Sequence, residues 1–491
     1  MLHPRWSKQV AAAMVTAALA VSLCGQSKDA QKPAPAGEDL LITTPDGSRF
    51  LLRPDTVHFA APVVHWVTLV PTGPEEDPVG AEGLARAIVR ASLDGSGDTG
   101  SLDADREIEA LETLDALERR GISNRRAEQR ATEAERSAAR AVAASLGIPD
   151  AWRRALARAG ASDVELREID GASLIHVALP TDALTDVALL VRERRERPLL
   201  RGLREQFEQV RAELLASAAT ATGKMAREIL GLTFPGAADA RPILAEPRVV
   251  TRAEAVAEFM AIHCPSRGLH VLTGGFDREQ VASVLRAVFA QSQIGPTADP
   301  PAPVPSESRG RRSVLPGVGD DGVSIAWPMP DADPAMVVAA AEWLAGGHDS
   351  HLASALRGAG FGDVQVSYKV DMPARARPGL LVVQVVAERH NPKNPDLEST
   401  LATILDHAAE RGPAGPEVTR VELRLRVMAL SWLRAPRESS FALAELVGLR
   451  NRRLDTLDAD PPRPSAADLI AVLEKLRAQS QRTLVVAQEG R

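Results

Sequence analysis

The sequence predicts an α+β protein made of two homologous sheet-plus-helix halves. Three observations predict it. From residue 40 onward, short runs of strand period alternate with longer runs of helical period. Residues 293–313 (QIGPTADPPAPVPSESRGRRS) are rich in Pro, polar residues and charge, the composition of a linker. Beyond that stretch the same kinds of element return in a similar order, which implies an internal duplication even though the residues repeat weakly. With 491 residues the chain is long enough to bury two such cores.

The elements are justified in chain order. Leu40 to Leu52 alternates about Pro45-Asp46-Gly47, the pattern of two strands and a turn. Pro62 to Val70 is a buried strand, and a helix follows over Gly83 to Gly95. Asp103 to Ser145 mixes charge with Ala and Leu at helical spacing and breaks near Gly121. This is an inserted helical hairpin over about residues 100–148, read as a solvated surface spacer. Strands are expected at Asp163 to Glu168 and Ala172 to Leu179 about Asp170-Gly171. Helices are expected at Thr181 to Arg197, capped by Thr181 or Asp182, at Leu203 to Leu232 and at Thr251 to His263. In the last, Thr251 and Glu254 have capping-box spacing. A strand at Leu269 to Leu272 and a helix from Asp277 to about Gln291 close the first half, residues 40–292.

The second half, 314–491, opens with a strand at Val323 to Trp327 and helices at Pro334 to Leu344 and His351 to Arg357. Strands follow at Val364 to Val370 and Leu380 to Ala387, then helices at Leu397 to Glu410, Glu417 to Leu433 and Ser439 to Val447. The last of these is closed by Gly448. Ser465 caps a final helix, Ala466 to Ala478, and Thr483 to Ala487 is the closing strand.

Residues 1–24 read as an export signal: Arg5 and Lys8 are basic, and Val10 to Leu23 is apolar apart from Thr16 and Ser22. The run is shorter than the roughly 20 residues of a membrane span. Cleavage at Cys24 would lipidate that residue, although Leu23 is large for the position before it. Cleavage after Ala18-Leu19-Ala20 is the ordinary secretory alternative. Residues 25–39 form a polar tether. The expected location is the periplasm, or the cell envelope through a lipid on Cys24, with no other contact to a membrane. Cys264 reads as a small buried apolar residue, and no disulfide framework or thiolate metal site is available.

The 45% hydrophobic and 25% charged composition is that of a soluble globular chain. A net charge of -7 argues against a nucleic-acid partner. Aromatics are 3%, with a single tyrosine, Tyr368, which leaves little material for stacking on bases or sugars.

The stretch Gly83-Leu84-Ala85-Arg86-Ala87-Ile88-Val89-Arg90-Ala91-Ser92-Leu93-Asp94-Gly95 resembles the helix that carries the inverted zinc motif H-x-x-E-H in the pitrilysin/insulinase family of metallopeptidases. Other segments add to the resemblance. Thr44-Pro45-Asp46-Gly47 is similar to the family's first-strand turn, and Phe234-Pro235-Gly236 with Arg241-Pro242-Ile243-Leu244 to a segment after the third-ligand helix. Gly274-Gly275-Phe276-Asp277 is similar to the junction closing the first half. Leu344-Ala345-Gly346-Gly347-His348-Asp349-Ser350-His351-Leu352 is similar to a glycine turn in the second. The inserted hairpin resembles one in a bacterial subgroup. Together they cover about residues 40–491 in the family's order.

The resemblance implies its own departures. Arg86 and Arg90 stand at the two histidine positions and Val89 at the catalytic glutamate. A guanidinium has no lone pair for a metal. Two cations about 6 Å apart on one helix face repel by roughly 3 kcal/mol at an effective dielectric of 20. Without the glutamate no general base acts on water, so the expectation is no zinc, no cofactor and no catalytic residue here. Glu213 matches the third-ligand position. It is either a solvent-exposed helix glutamate or the partner of Arg86 or Arg90 in an ion pair that replaces the metal. Of a substrate-holding Arg and Tyr in the family, Arg357 is retained while Val364 stands at the tyrosine place, with Tyr368 four residues on. Arg357 then either binds substrate or ties its own helix end.

His348 and His351 lack a third ligand and read as a loop-to-helix cap, and His65 as a packed strand histidine. The glycine pairs carry no phosphate-loop lysine, and Ser173 and Ser350 have no nucleophile elbow. The resemblance implies a non-catalytic subunit: a scaffold or substrate-positioning partner of an active zinc-peptidase homologue, with a peptide or unfolded-protein substrate. The alternative is a stand-alone exported peptide-binding or assembly protein. An active metallopeptidase with relocated residues is the least favoured reading.

Overall fold

A computed structural model describes residues 40–55, 61–119, 126–244, 247–292, 311–316, 322–329, 332–371, 379–389, 396–433, 435–449, 463–478 and 482–488. The expected signal, tether and Cys24 lie outside the described residues, as do 293–310 of the expected linker.

The first half runs β1 (Leu40–Thr43), β2 (Arg49–Pro54), β3 (Val63–Pro71), α1 (Leu84–Ser92), then α2 (Ala104–Arg119) and α3 (Arg126–Leu146), the inserted hairpin. It continues with α4 (Ala151–Arg158), β4 (Ser162–Ile169), β5 (Ala172–Pro180), α5 (Leu184–Glu196), α6 (Leu203–Ala219) and α7 (Ala221–Thr233). It ends with α8 (Arg252–Ile262), β6 (Leu269–Gly274) and α9 (Arg278–Phe289). The strands form one sheet in the order β1-β2-β6-β3-β5-β4. The β1–β2 turn is built by Asp46, which accepts from Thr44 Oγ1 (2.6 Å) and from the amide and hydroxyl of Ser48 (3.1 and 2.8 Å). Gly47 supplies the positive φ of 90° that the turn requires.

Two expectations for this half are corrected. Residues 181–183 form a 3₁₀ turn before α5, and Thr181 Oγ1 donates to the Gly275 carbonyl (3.2 Å) instead of capping. The run from Leu203 to Leu232 is two helices. Thr220 is extended at ψ 157° and its hydroxyl caps the second helix by accepting from Gly223 N (3.0 Å). Helix α4 was not anticipated; it follows Ile148-Pro149-Asp150, where Asp150 adopts a left-handed φ of 51°.

The second half runs β7 (Arg312–Pro316), β8 (Gly322–Pro328), α10 (Pro334–Ala345), α11 (His351–Gly358), β9 (Phe361–Asp371) and β10 (Leu380–Arg389). It continues with α12 (Leu397–Arg411), α13 (Gly415–Leu433), α14 (Pro436–Leu443), α15 (Ala466–Ala478) and β11 (Thr483–Gln488). The order is β7-β11-β8-β10-β9. Strand β7 starts inside the expected linker because its parallel partner is β11, from the far end of the chain, a pairing that local composition does not encode. Helix α14 does not end at Gly448. It runs into a π-helical turn, Ala444–Leu449, in which a Cβ on Gly448 would meet Leu69 Cδ1 at 3.0 Å.

The halves share a core pattern, to which the first adds β1 and the inserted hairpin. In each sheet one parallel pair (β2 with β6, β7 with β11) sits beside an antiparallel run ending in an edge strand, β4 or β9. Each edge strand follows a short helix, and each opens on a register shift. The segment Ala159-Gly160-Ala161-Ser162-Asp163-Val164 returns as Ala359-Gly360-Phe361-Gly362-Asp363-Val364. The left-handed aspartates coincide, with φ of 52° at Asp163 and 38° at Asp363.

Each sheet packs its own helices on one face, around Trp66, Ile88, Phe259 and Phe289 in the first half and around Trp343, Leu381 and Leu401 in the second. The opposite faces are covered reciprocally. Phe441, Leu443 and Val447, from α14 and its π turn, bury Leu51, Val67, Leu69, Leu174 and Val271 of the first sheet. In return Met225, Ile229 and Phe234, on and just after α7, pack on Ala326, Leu380, Val485 and Ala487 of the second. Thr233 and Thr483 hydrogen-bond across that seam (2.8 Å). Residues 39–491 thus form one compact unit. Among the described residues no helix is long and apolar enough to cross a membrane.

Candidate functional site

Helix α1 is placed by its N-terminus. Asp77, in the loop after β3, accepts from Gly83 N (2.7 Å) and Ala85 N (2.8 Å), so a buried carboxylate satisfies two of the helix's free donors. Burial pushes Asp77 up to about 7, against the pull of those two amides and of the nearby Arg86 charge. Gly83 itself has a φ of 93°, and a Cβ there would lie 2.8 Å from Val210 Cγ1 on α6. The Gly83→Ala variant should therefore lose about 2–3 kcal/mol of stability, read as a lowered denaturation midpoint, because φ strain and overpacking act together. A loss within 0.5 kcal/mol, about that of an ordinary surface change, would show that α1 and α6 are loosely packed.

The Arg90 side chain of α1 is engaged in salt bridges. Arg90 lies between two carboxylates. Its Nε and Nη2 donate to Glu168 on β4 (2.7 and 2.9 Å), and its Nη1 and Nη2 donate to Glu213 on α6 (3.0 and 2.7 Å). Both contacts are bidentate, the strong geometry for a guanidinium, and one of its five N–H groups remains. Gln209 also donates to Glu213 (3.0 Å). The Arg90 hydrogen bond, above all, holds Glu213 below the usual carboxylate range, while the two carboxylates raise Arg90. Arg86 is half-buried and acts on Asp77 and Glu213 through its charge. Val89 is fully buried in the first core, with Val210 and Ile88.

Of the expected site residues, then, α1 and α6 bring together Arg90 and Glu213, with Arg86 near. Glu168 was missed by sequence reasoning. It alternates with Val164 and Leu166 on the core-facing side of β4, and an acid in that register was the available signal.

A second cluster sits at the equivalent place in the second half with its charges exchanged. Glu342 on α10 accepts from Arg424 on α13 (2.7 Å) and from the Tyr368 hydroxyl on β9 (2.9 Å). The core-side neighbours correspond too: Val210 and Leu214 beside Glu213, Val421 and Leu425 beside Arg424. Thus α1, α6 and β4 hold a cation between acids, and α10, α13 and β9 hold an acid between donors. Burial and the adjacent Glu342 carboxylate raise Tyr368, which keeps it a neutral donor.

The remaining candidates are structural in geometry. Arg357 donates to the His348 carbonyl (2.7 Å), tying α11 to its own entry loop. His348 is exposed beside Asp349 (3.1 Å), and His351 packs on Trp343 with ring centroids 4.6 Å apart. Ser350 caps α11, and Ser173 shares a hydrogen bond with Thr72 (2.9 Å). Cys264 is buried, with its Sγ 3.2 Å from Ser266 Oγ. Among the described residues no three His, Cys, Asp or Glu are grouped to hold a metal. The groups around Arg90 do not fit zinc: both carboxylates are engaged by a fixed cation, and neither arginine has a lone pair to give.

The sequence matches no protein-family model and no curated protein. Solved structures match it over nearly its whole length. A protease from Helicobacter pylori has a TM-score of 0.67 at 12% identity, covering 92% of this chain and 99% of that one. An inactive peptidase M16 domain from Pseudomonas fluorescens has a TM-score of 0.63 at 14% identity, covering 92% and 97%. The fold is that of the M16-like peptidases. The periplasmic protease PqqL from Escherichia coli shares this M16-like fold, with a TM-score of 0.64 at 13% identity, covering 94% of this chain and 48% of that one. A single chain of M16-like fold therefore corresponds to about half of that protease. It is the architecture implied by the resemblance to pitrilysin and insulinase.

Proposed function

We propose that this chain is an exported, non-catalytic M16-like subunit, a scaffold or substrate-positioning partner of an active zinc peptidase. One observation carries the reading: Arg90, at a position where the resemblance puts a histidine ligand, is held bidentately by Glu168 and Glu213. A water-activating group is missing there as well, since Val89 is an apolar, fully buried side chain. The correspondence with 48% of PqqL supports the pairing, because a protease of this fold holds about two such lengths. The substrate class that such a pair would share is an extended peptide or unfolded segment. Export, with or without a lipid on Cys24, is part of the same proposal.

The test is purification of the full chain from the cells that make it, with metal analysis and a peptide-cleavage assay. Recovery with a zinc-bearing homologue is expected, the zinc residing in that homologue. Recovery as a monomer or homodimer sinks the partner role. One zinc per chain, with cleavage lost on chelation, overturns the non-catalytic reading.

A further inference from the structure

The cover that α14 lays on the first sheet contains a histidine pair that the Arg90 cluster does not use. His65 on β3 and His176 on β5 point to the covered face, with ring centroids 5.4 Å apart and His65 Nδ1 lying 3.2 Å from His176 Nε2. His176 Nδ1 lies 3.1 Å from the Asp163 carbonyl. A carbonyl only accepts, so His176 carries its proton on Nδ1 and accepts from His65 through Nε2. That assignment leaves both rings neutral. A proton on His176 Nε2 would set two N–H groups against each other and break the bond.

The pair lies directly beneath the segment from the other half. Phe441 packs on His176 (ring centroids 5.3 Å), and the Arg167 guanidinium lies 3.7 Å over the outer face of the Phe441 ring. Arg437 forms ion pairs with Asp163 (3.2 Å) and Glu165, and Glu438 with Arg167 (3.4 Å). Thr273 on β6, beside His65 in the sheet, donates to the Pro436 carbonyl (2.7 Å). The charged groups around the pair are therefore Asp163, Glu165 and Arg167 from β4, and Arg437 and Glu438 from α14. Arg53 on β2 shares the His65 row two strands away, and Glu445 lies on the π turn. Among these seven groups, three arginines face four carboxylates. The more accessible His65 can take a first proton against that small acidic excess, but His176, with no side-chain exposure, cannot take one without losing its bond to His65.

We propose that Pro436–Leu449 is an acid-sensitive clasp, released from the first sheet when the His65–His176 pair takes up a second proton. Burial, then the neighbouring His65, pushes His176 down to about 4, and burial and Arg437 also lower His65. A base whose folded value is depressed favours the closed form above the ordinary value near 6.5, and that preference is lost as pH falls toward 4. If His176 protonates only in the open form, opening becomes about 25-fold more frequent between pH 7 and pH 5.

Hydrogen exchange on the full chain tests this, corrected for intrinsic rates, comparing residues 436–449 with β10 (Leu380–Arg389) as an internal reference. Between pH 7 and pH 5 the ratio of opening should rise by that factor. In His176→Gln, whose amide can donate to the Asp163 carbonyl and accept from His65 without titrating, only the His65 contribution remains and the ratio should rise far less. A flat ratio in the unmodified chain overturns the proposal, whether or not the variant folds. So does an equal rise in His176→Gln, which would place the titration elsewhere.

Discussion

Arg90→Met is expected to destabilise the protein by roughly 2–3 kcal/mol, less than the 3–5 kcal/mol seen when one partner of a fully buried pair is removed. The discount follows from exposure: the Arg90 and Glu168 side chains are 17% and 19% exposed, and Glu213 is 48% exposed. The loss comes from leaving two carboxylates facing each other with nothing between them. Changing Glu168 and Glu213 to glutamine in the same chain should recover most of it. Glu213→Gln alone should cost under about 1 kcal/mol, as an accessible pair does. Denaturant titrations of the four proteins at pH 7 provide the comparison. An Arg90→Met loss below about 0.5 kcal/mol would mean that the cluster only fills space, and the reading carried by Arg90 would fall with it.

Residues 40–292 expressed alone should fail to give a stable monomer. Removing α14 and its π turn uncovers Leu51, Val67, Leu69, Leu174 and Val271, which pack against Phe441, Leu443 and Val447. Burial of a large aliphatic side chain is worth about 1.5–3 kcal/mol, so five of them approach 10 kcal/mol, comparable with the whole stability of a domain. Gel filtration should show aggregate, and adding residues 314–491 should restore a folded complex. A soluble, cooperatively unfolding monomer of 40–292 would show that the reciprocal cover is dispensable.

Helices and buried strands were legible because their apolar period is local: α8 with its capping box at Thr251 and Glu254, and β3 with its mostly apolar run, stand where the pattern puts them. What failed depended on partners far along the chain. Pro-rich surroundings hid β7, whose partner is more than a hundred residues away in β11. The break at Thr220 lacks Pro, and the run Ala-Ala-Thr-Ala-Thr-Gly is compatible with one continuous helix. At the site, Glu213 could be placed because the family resemblance puts a third-ligand position there. Glu168 could not, because β4 carries charge on both faces and only the register relative to Val164 and Leu166 separates inward from outward. Nothing local in Phe441 says that it crosses to the other sheet.

The grip of two carboxylates on Arg90 also makes the position hard to change one residue at a time. Building a metal-binding helix here would need changes at Arg86, Val89 and Arg90, and they are not independent. Arg90→His as a first step takes a permanent cation from between Glu168 and Glu213 before any metal can be held. Val89→Glu as a first step puts a carboxylate into a fully buried apolar position. Each single step lowers stability before any ligand set is complete, so intermediates sit in a valley that selection on folding alone would empty. Variants that keep the guanidinium avoid that loss.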